Sequence, residues 1–260
     1  MMNTELPFIP ERPAKPRHNG ITMVMDKGLG LRETENFCEA NAEFTDFVKL
    51  GFGTALITKN LDEKIKIYKS AGIIPYFGGT LFEIYVIRNL FDDYQRFLDK
   101  YNLEMTEVSD GSMELEHEIK LDHIRKLSSR LTVLSEVGSK QAGVIIPHEK
   151  WIANMKTELE AGAFKVIAEA RESGTIGIYR ADGTADKDLI NDIVKHVNSE
   201  SILWEAPNKN QQVYFIKLAG PNVNLGNIAP AEVIPLEALR CGLRGDTFFE
   251  YLPLELKQDQ

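Results

Sequence analysis

Eight short apolar runs, each closed by a polar or glycine-rich turn and separated by helix-like sequence, constrain this chain more than any other feature. They end near residues 26, 51, 78, 110, 136, 169, 205 and 225, at intervals of 20 to 36 residues. Short continuous apolar runs read as strands buried on both faces, the pattern of parallel sheets. Between them, helical periodicity is read over 33–44, 61–71, 187–197 and 210–219. A single amphipathic helix is expected from Ile84 to Tyr101, with Ile87, Phe91, Tyr94 and Leu98 on its apolar stripe. Leu115, Ile119, Ile124 and Leu127 mark the next helix. Another opens near Pro147 and turns Trp151, Ile152, Met155 and Leu159 inward; a terminal one starts near Pro230. Strand–helix alternation of this length predicts the α/β class, as a single (β/α)8 TIM barrel over residues 20–260. A doubly wound open sheet is the rival. No complete dinucleotide fingerprint supports it: Gly28-Leu-Gly30-Leu-Arg-Glu33 lacks the third glycine, and no Walker loop occurs.

Four acids stand just past four of these runs: Asp110, Glu136, Glu169 and Glu205. In a barrel they would emerge at the strands' C-terminal ends, where catalytic groups collect. Carboxylates crowded at one rim repel unless cations compensate them. A divalent metal with an anionic substrate is the simplest reason for the arrangement.

Composition narrows the classes. The net charge of −9 argues against a phosphate-backbone binder, whose domains carry a basic face, so no nucleic acid is expected. No stretch approaches the roughly 18 apolar residues of a membrane span. Residues 1–19 contain four prolines and no apolar core, and read as an extended arm rather than a signal peptide. Cys38 and Cys241 lack metal spacing and read as reduced thiols, so the cytoplasm is the expected location. His18, His117, His123, His148 and His196 show neither HxH nor HExxH spacing, and no GxSxG elbow occurs.

Several groups are placed to do chemistry. Lys140 follows Glu136 by four residues in SEVGSK; near carboxylates it should stay protonated, while partial desolvation would lower its pKa and let it donate a proton near neutrality. Position alone favours a surface lysine in a mobile loop. Arg171 follows Glu169 by two and offers a planar fork for anions, or an ion pair with Glu172. Lys27, directly after Asp26, carries the same ambiguity. In NVNLGNIAP, Gly226 is read between a last strand at 222–225 and the helix at Pro230, either as an anion site at a helix N-terminus or as an ordinary cap.

The motifs GITMVMDKGLG (20–30), DFVKLGFGT (46–54), PYFGGTLFE (75–83), EVSDGS (107–112), VLSEVGSK (133–140), AGAFKVIAEARESG (161–174), WEAP (204–207), GPNVNLGNIAP (220–230) and LEALRCGLRGDT (236–247) together resemble the phosphosulfolactate synthase family. The resemblance implies a (β/α)8 barrel and a magnesium-dependent addition of sulfite to phosphoenolpyruvate, giving (2R)-3-phosphosulfolactate, on one route to coenzyme M. It implies a homo-oligomer, and Lys140 matches the family's general acid. Glu136, Glu169 and Glu205 are the expected Mg2+ ligands, with Asp110 and Asp26 in reserve. Lys27, Arg171, Asn224, Gly226 and Asn227 are expected to hold the anionic substrates. Ala170 departs from the family pattern, which has glycine there. Plant heat-stress-associated proteins resemble the same family, so a catalytically altered member is one alternative; a Schiff-base aldolase is another.

Overall fold

The computed structural model describes residues 3–140, 144–171 and 173–257. Eight parallel strands, β1 (Thr22–Asp26), β2 (Phe47–Leu50), β3 (Ile74–Phe77), β4 (Met105–Val108), β5 (Thr132–Val137), β6 (Lys165–Ala168), β7 (Ile202–Glu205) and β8 (Leu225–Ile228), lie in the order β3-β2-β1-β8-β7-β6-β5-β4. The two end strands sit side by side, so the sheet curls into a nearly closed (β/α)8 barrel. Seven neighbouring pairs are joined by ladders; β3 and β4 are not. One cause is visible in β3. Ile74 N donates to Asp46 O at 3.0 Å and Gly78 N to Leu50 O at 3.1 Å, so alternate amides point at β2. Pro75 falls between them and has no donor to offer β4. Side chains bridge the seam instead: Tyr76 Oη donates to Glu107 Oε2 at 3.0 Å, and Gly79 N to Glu107 Oε1 at 2.6 Å.

The helices are α1 (Leu31–Asn41), α2 (Leu61–Ser70), α3 (Gly79–Val86), α4 (Phe91–Lys100), α5 (His117–Ser128), α6 (His148–Glu160), α7 (Lys187–His196), α8 (Lys209–Ala219) and α9 (Val233–Arg240). Their apolar faces pack on the outward strand residues. Val24, Val48, Val166 and Trp204 meet Phe37, Tyr68, Trp151 and Phe215 on one side. Leu50, Phe77, Val108 and Val133 meet Ile65, Leu81, Tyr94 and Leu98 on the other. Inside the barrel, Ile21, Met23, Phe47, Tyr76, Met105, Leu134, Ile167 and Leu203 fill a lower layer. Such layers make the barrel a packed core rather than a pore.

Three sequence expectations are corrected. The helix expected over 84–101 is two helices, because Asn89 adopts a left-handed φ of 57° and ends α3; Ile87 is left 65 % exposed. Ile119 of α5 is likewise exposed, and Lys120 takes an inward place beside Leu121 and Ile124. The last strand begins at Leu225, where it was expected to end, and carries Gly226 and Asn227 within it. A register shift in the β1–β8 ladder and a left-handed φ of 56° at Asn227 mark a bulge.

The arm lies beneath the N-terminal ends of the strands. Arg12 pairs with Glu237 at 2.8 Å and donates to the carbonyls of Pro221 and Gly20 at 3.1 Å. Arg17 pairs with Asp46 at 2.8 Å, and Asp46 Oδ2 accepts from Thr22 N at the start of β1.

Candidate active site

Side chains of a strand alternate, so the residue two beyond each lower-layer apolar side chain also points inward. Phe47, Met105, Leu134, Ile167 and Leu203 are followed at that spacing by Lys49, Glu107, Glu136, Glu169 and Glu205. A buried polar ring therefore sits directly above the apolar layer, at the strands' C-terminal ends. It forms the floor of a cavity of about 370 Å3, walled by Phe52, Gly78, Gly79, Thr80, Ser112, Lys140, Arg171, Ser173 and Asn227, among others.

Lys49 is the hub of this ring. Its Nζ lies 3.0 Å from Glu205 Oε1, 3.2 Å from Glu107 Oε2 and 3.6 Å from Glu136 Oε2. Burial lowers the pKa of its ammonium, but Glu107, Glu205, Glu136 and Glu169 outweigh it and hold Lys49 well above the lysine range. Glu205 is pushed up to about 7, chiefly by burial and against the pull of Lys49; its Oε2 accepts from Ala170 N at 2.8 Å.

Glu136 and Glu169 behave as a coupled pair. Burial favours protonation of both, yet Lys140 lies 2.5 Å from Glu136 Oε1 and holds Glu136 well below the usual carboxylate range. Glu169 rises well above it, through burial and the nearby charges of Glu136 and Glu205. Neither oxygen of Glu169 accepts a hydrogen bond, although Lys140 Nζ is 3.5 Å from Oε2; the neighbouring Glu136 carboxylate can accept from Glu169 only when Glu169 carries a proton. Ligand oxygens of Glu136, Glu169 and Glu205 all lie within 4.8 Å of one another. An all-oxygen donor set with orphaned buried oxygens suits a hard divalent cation. Were all four ring carboxylates ionised, they would exceed the two ammonium groups, Lys49 and Lys140, by two charges, which a divalent cation would balance.

Of the two influences expected on Lys140, the carboxylates prevail over desolvation. Its pKa is raised, because Glu136 and Glu169 outweigh the burial that would lower it. The ammonium is thus firmly protonated. Its backbone is held as well: Lys140 N donates to Gly111 O at 2.9 Å, and Arg171 Nε donates to Lys140 O at 2.8 Å. Arg171 lines the cavity, but its Nε and Nη2 both point at that carbonyl. The alternative partner Glu172 lies outside the described residues.

The loop after β6 is shaped to present Glu169. Gly177 adopts a left-handed φ of +68°, and a Cβ there would stand 1.9 Å from Glu169 O. Only glycine passes that close. Ile176 before it is itself left-handed at 63°, a strained conformation for a β-branched residue. Gln211 Nε2 secures the loop by donating to Gly174 O at 2.8 Å. Tyr179 Oη donates to Glu205 O at 2.6 Å.

The other expected residues divide between the cavity and the rest of the barrel. Asn224 is at the opposite end of the barrel, where its side chain joins Ile21 N and the carbonyls of Glu200 and Ile202. Gly226 faces the lower layer, its missing Cβ 2.7 Å from Met23 Cε. Asn227 reaches the cavity, with a buried Oδ1 that accepts no hydrogen bond. Lys27 is exposed at the rim, 5.9 Å from the centre of the Phe52 ring. Asp26 is satisfied outside the ring by Lys64 at 2.6 Å and Tyr68 Oη at 2.8 Å, and Asp110 pairs with Lys120 at 2.8 Å. Ala170 joins the apolar cluster between sheet and helices and also lines the cavity. Lys49 and Glu107 were missed because they lie inside runs read as apolar; the two-residue alternation was the signal that would have found them.

The chain is 41% identical to the phosphosulfolactate synthase of Bacillus subtilis (strain 168) over 244 residues, covering 93% of this chain and 97% of that protein. It is also 41% identical to the phosphosulfolactate synthase of Methanothermobacter thermautotrophicus over 244 residues, covering 92% and 95%. Among solved structures, 3-hexulose-6-phosphate synthase from Salmonella typhimurium superposes with a TM-score of 0.54 at 15% identity, over 89% of this chain and 100% of that one; this likeness concerns the fold alone. Residues 10–246 match the family model described as (2R)-phospho-3-sulfolactate synthase (ComA), and the chain belongs to that family.

Proposed function

We propose that this protein is a magnesium-dependent phosphosulfolactate synthase, adding sulfite to phosphoenolpyruvate to give (2R)-3-phosphosulfolactate. The observation that carries the reading is the Lys140 ammonium, 2.5 Å from Glu136, at the edge of a buried carboxylate ring that opens into a small cavity. Sulfite sulfur forms a bond to the methylene carbon, the double-bond electrons move toward the carboxylate, and a proton is added at the α-carbon. Mg2+, held by oxygens of Glu136, Glu169 and Glu205, would supply a positive charge to stabilise the electron-rich carboxylate. Lys140 carries the proton for the α-carbon and fixes the face on which it arrives. Lys49 keeps the carboxylates together beneath the substrate. Arg171 holds the Lys140 carbonyl and, with Asn227, lines the wall that the anions meet.

A Schiff-base aldolase forms an imine between its lysine and a carbonyl substrate, so borohydride trapping would reveal it, whereas the conjugate addition forms none. A catalytically altered member remains the rival, distinguished by assay. Two free, buried thiols, Cys38 and Cys241, each pushed up to about 11 by burial, support a reducing, cytoplasmic setting. Among the described residues no helix is long and apolar enough to cross a membrane. A homo-oligomer and use of the product toward coenzyme M belong to the same proposal.

The test is product formation from phosphoenolpyruvate and sulfite, with Mg2+ or with EDTA. Lys140→Ala should lower turnover by about 10²–10⁴-fold, the usual worth of a general acid. Folded, metal-loaded wild-type protein that makes no product would move the assignment to the altered-family reading.

A further inference from the structure

Asp110 is one of the four strand-end acids, yet it takes no part in the carboxylate ring. It lies behind the site, where Lys120 of α5 is buried at 1 % exposure. Lys120 Nζ donates to Asp110 Oδ1 at 2.8 Å and to the Glu136 carbonyl at 2.6 Å. It also pairs with Glu158 Oε1 of α6 at 2.9 Å, and Ser135 Oγ donates to the other Glu158 oxygen at 2.6 Å. Neither Lys120, Asp110 nor Glu158 lines the cavity.

These contacts close a ring around the proton donor. Asp110 is joined by one peptide bond to Gly111, whose carbonyl accepts from Lys140 N at 2.9 Å. Lys140 Nζ reaches Glu136 Oε1 at 2.5 Å. The Glu136 backbone returns to Lys120. Thus one buried ammonium ties the β4 loop, which carries the Lys140 backbone, to the β5 residue that receives the Lys140 side chain. Burying a lysine is costly, and this one spends its donors on the backbone and loop of the site as well as on a helix partner.

We propose that Lys120 and Asp110 form a clasp behind the site that positions Lys140 over the α-carbon. They act as positioning residues, through Gly111 and Glu136, and touch no substrate. The expected size is taken from outer-shell partners at metal sites, about 10–100-fold in activity. The inference rests on the synthase reading for its kinetic consequence, but its geometry stands apart from it.

The experiment compares Asp110→Ala, Asp110→Asn and Lys120→Met with wild type, at saturating Mg2+, in kcat per folded molecule and KM for phosphoenolpyruvate. Asp110 is partly exposed, so its variants should fold even where Lys120→Met does not. Asp110→Ala should lose about 10–100-fold in kcat with KM little changed. Asp110→Asn, which keeps the acceptor oxygen, should restore most of that loss. A lowered Tm with kcat per folded molecule at the wild-type value would overturn the clasp. A crystal structure of Asp110→Ala supplies a readout independent of turnover. The clasp requires displacement of the Gly111 carbonyl or loss of the Lys140–Glu136 contact; an unmoved Lys140 sinks it, even if wild type makes no product and the synthase reading fails.

Discussion

At the scale of the residue, the site is governed by charge compensation in a buried ring. Lys49 faces three carboxylates within 3.6 Å and is almost wholly enclosed. Removing one partner from a buried ionic cluster leaves uncompensated charge, which costs about 3–5 kcal/mol. Lys49→Met is expected to destabilise the fold by that order in chemical denaturation; a change under about 1 kcal/mol would show that the ring does not depend on it. Glu205 makes a pH prediction. Its folded pKa of about 7 is above the ordinary carboxylate value, so the folded state binds its proton more tightly than the unfolded state does. The stability this contributes is full at low pH and is lost as pH rises toward and through 7. Melting in EDTA from pH 5 to 8 should therefore show a decline that Glu205→Gln, which cannot ionise, makes shallower. An equal slope in the variant would place the decline on other groups.

At the scale of the element, the strand ends were legible and the loops were not. Periodicity predicts where β5, β6 and β7 stop, because Glu136, Glu169 and Glu205 interrupt apolar runs, and the structure places all three on one floor. The break between α3 and α4 escaped that logic. Ile84, Tyr94 and Leu98 keep helical spacing across it, while a left-handed Asn89 turns the chain. The loop after β6 is the least legible element. Its form depends on Gly177 passing against the Glu169 carbonyl and on Gln211 reaching in from α8. Gly177→Ala must relieve both a left-handed backbone and a contact of 1.9 Å with a carbonyl oxygen. It should destabilise the protein by more than about 1 kcal/mol and reduce turnover as Glu169 shifts. A variant with wild-type melting and rate would show that the loop relaxes freely.

At the scale of the whole molecule, the barrel brings together acids that stand far apart in the chain. Glu107, Glu136 and Glu205 come from three strands, Glu169 from just past the end of β6, and Lys49 from β2. Their mutual repulsion opposes folding unless protons or a cation offset it, so Mg2+ should stabilise the folded state by mass action. At a hundredfold excess over its Kd the gain is about 2.7 kcal/mol. Calorimetry at pH 8 should show Tm rising with Mg2+, and the rise should be lost in Glu169→Gln; a Tm indifferent to Mg2+ in the wild type would refute the cation site. The sequence by itself determined the class of fold, the number of strands and where along the chain each falls, and three of the ring acids, because buried parallel strands and helices impose distinct periods on apolar residues. Only the tertiary structure decided that Glu107 joins the ring while Asp110 stands behind it, that Asn224 lies at the far end, and that Lys49 is the central cation. Those assignments depend on which face of each strand turns inward and on which strand closes next to which, and both are settled by packing across the barrel.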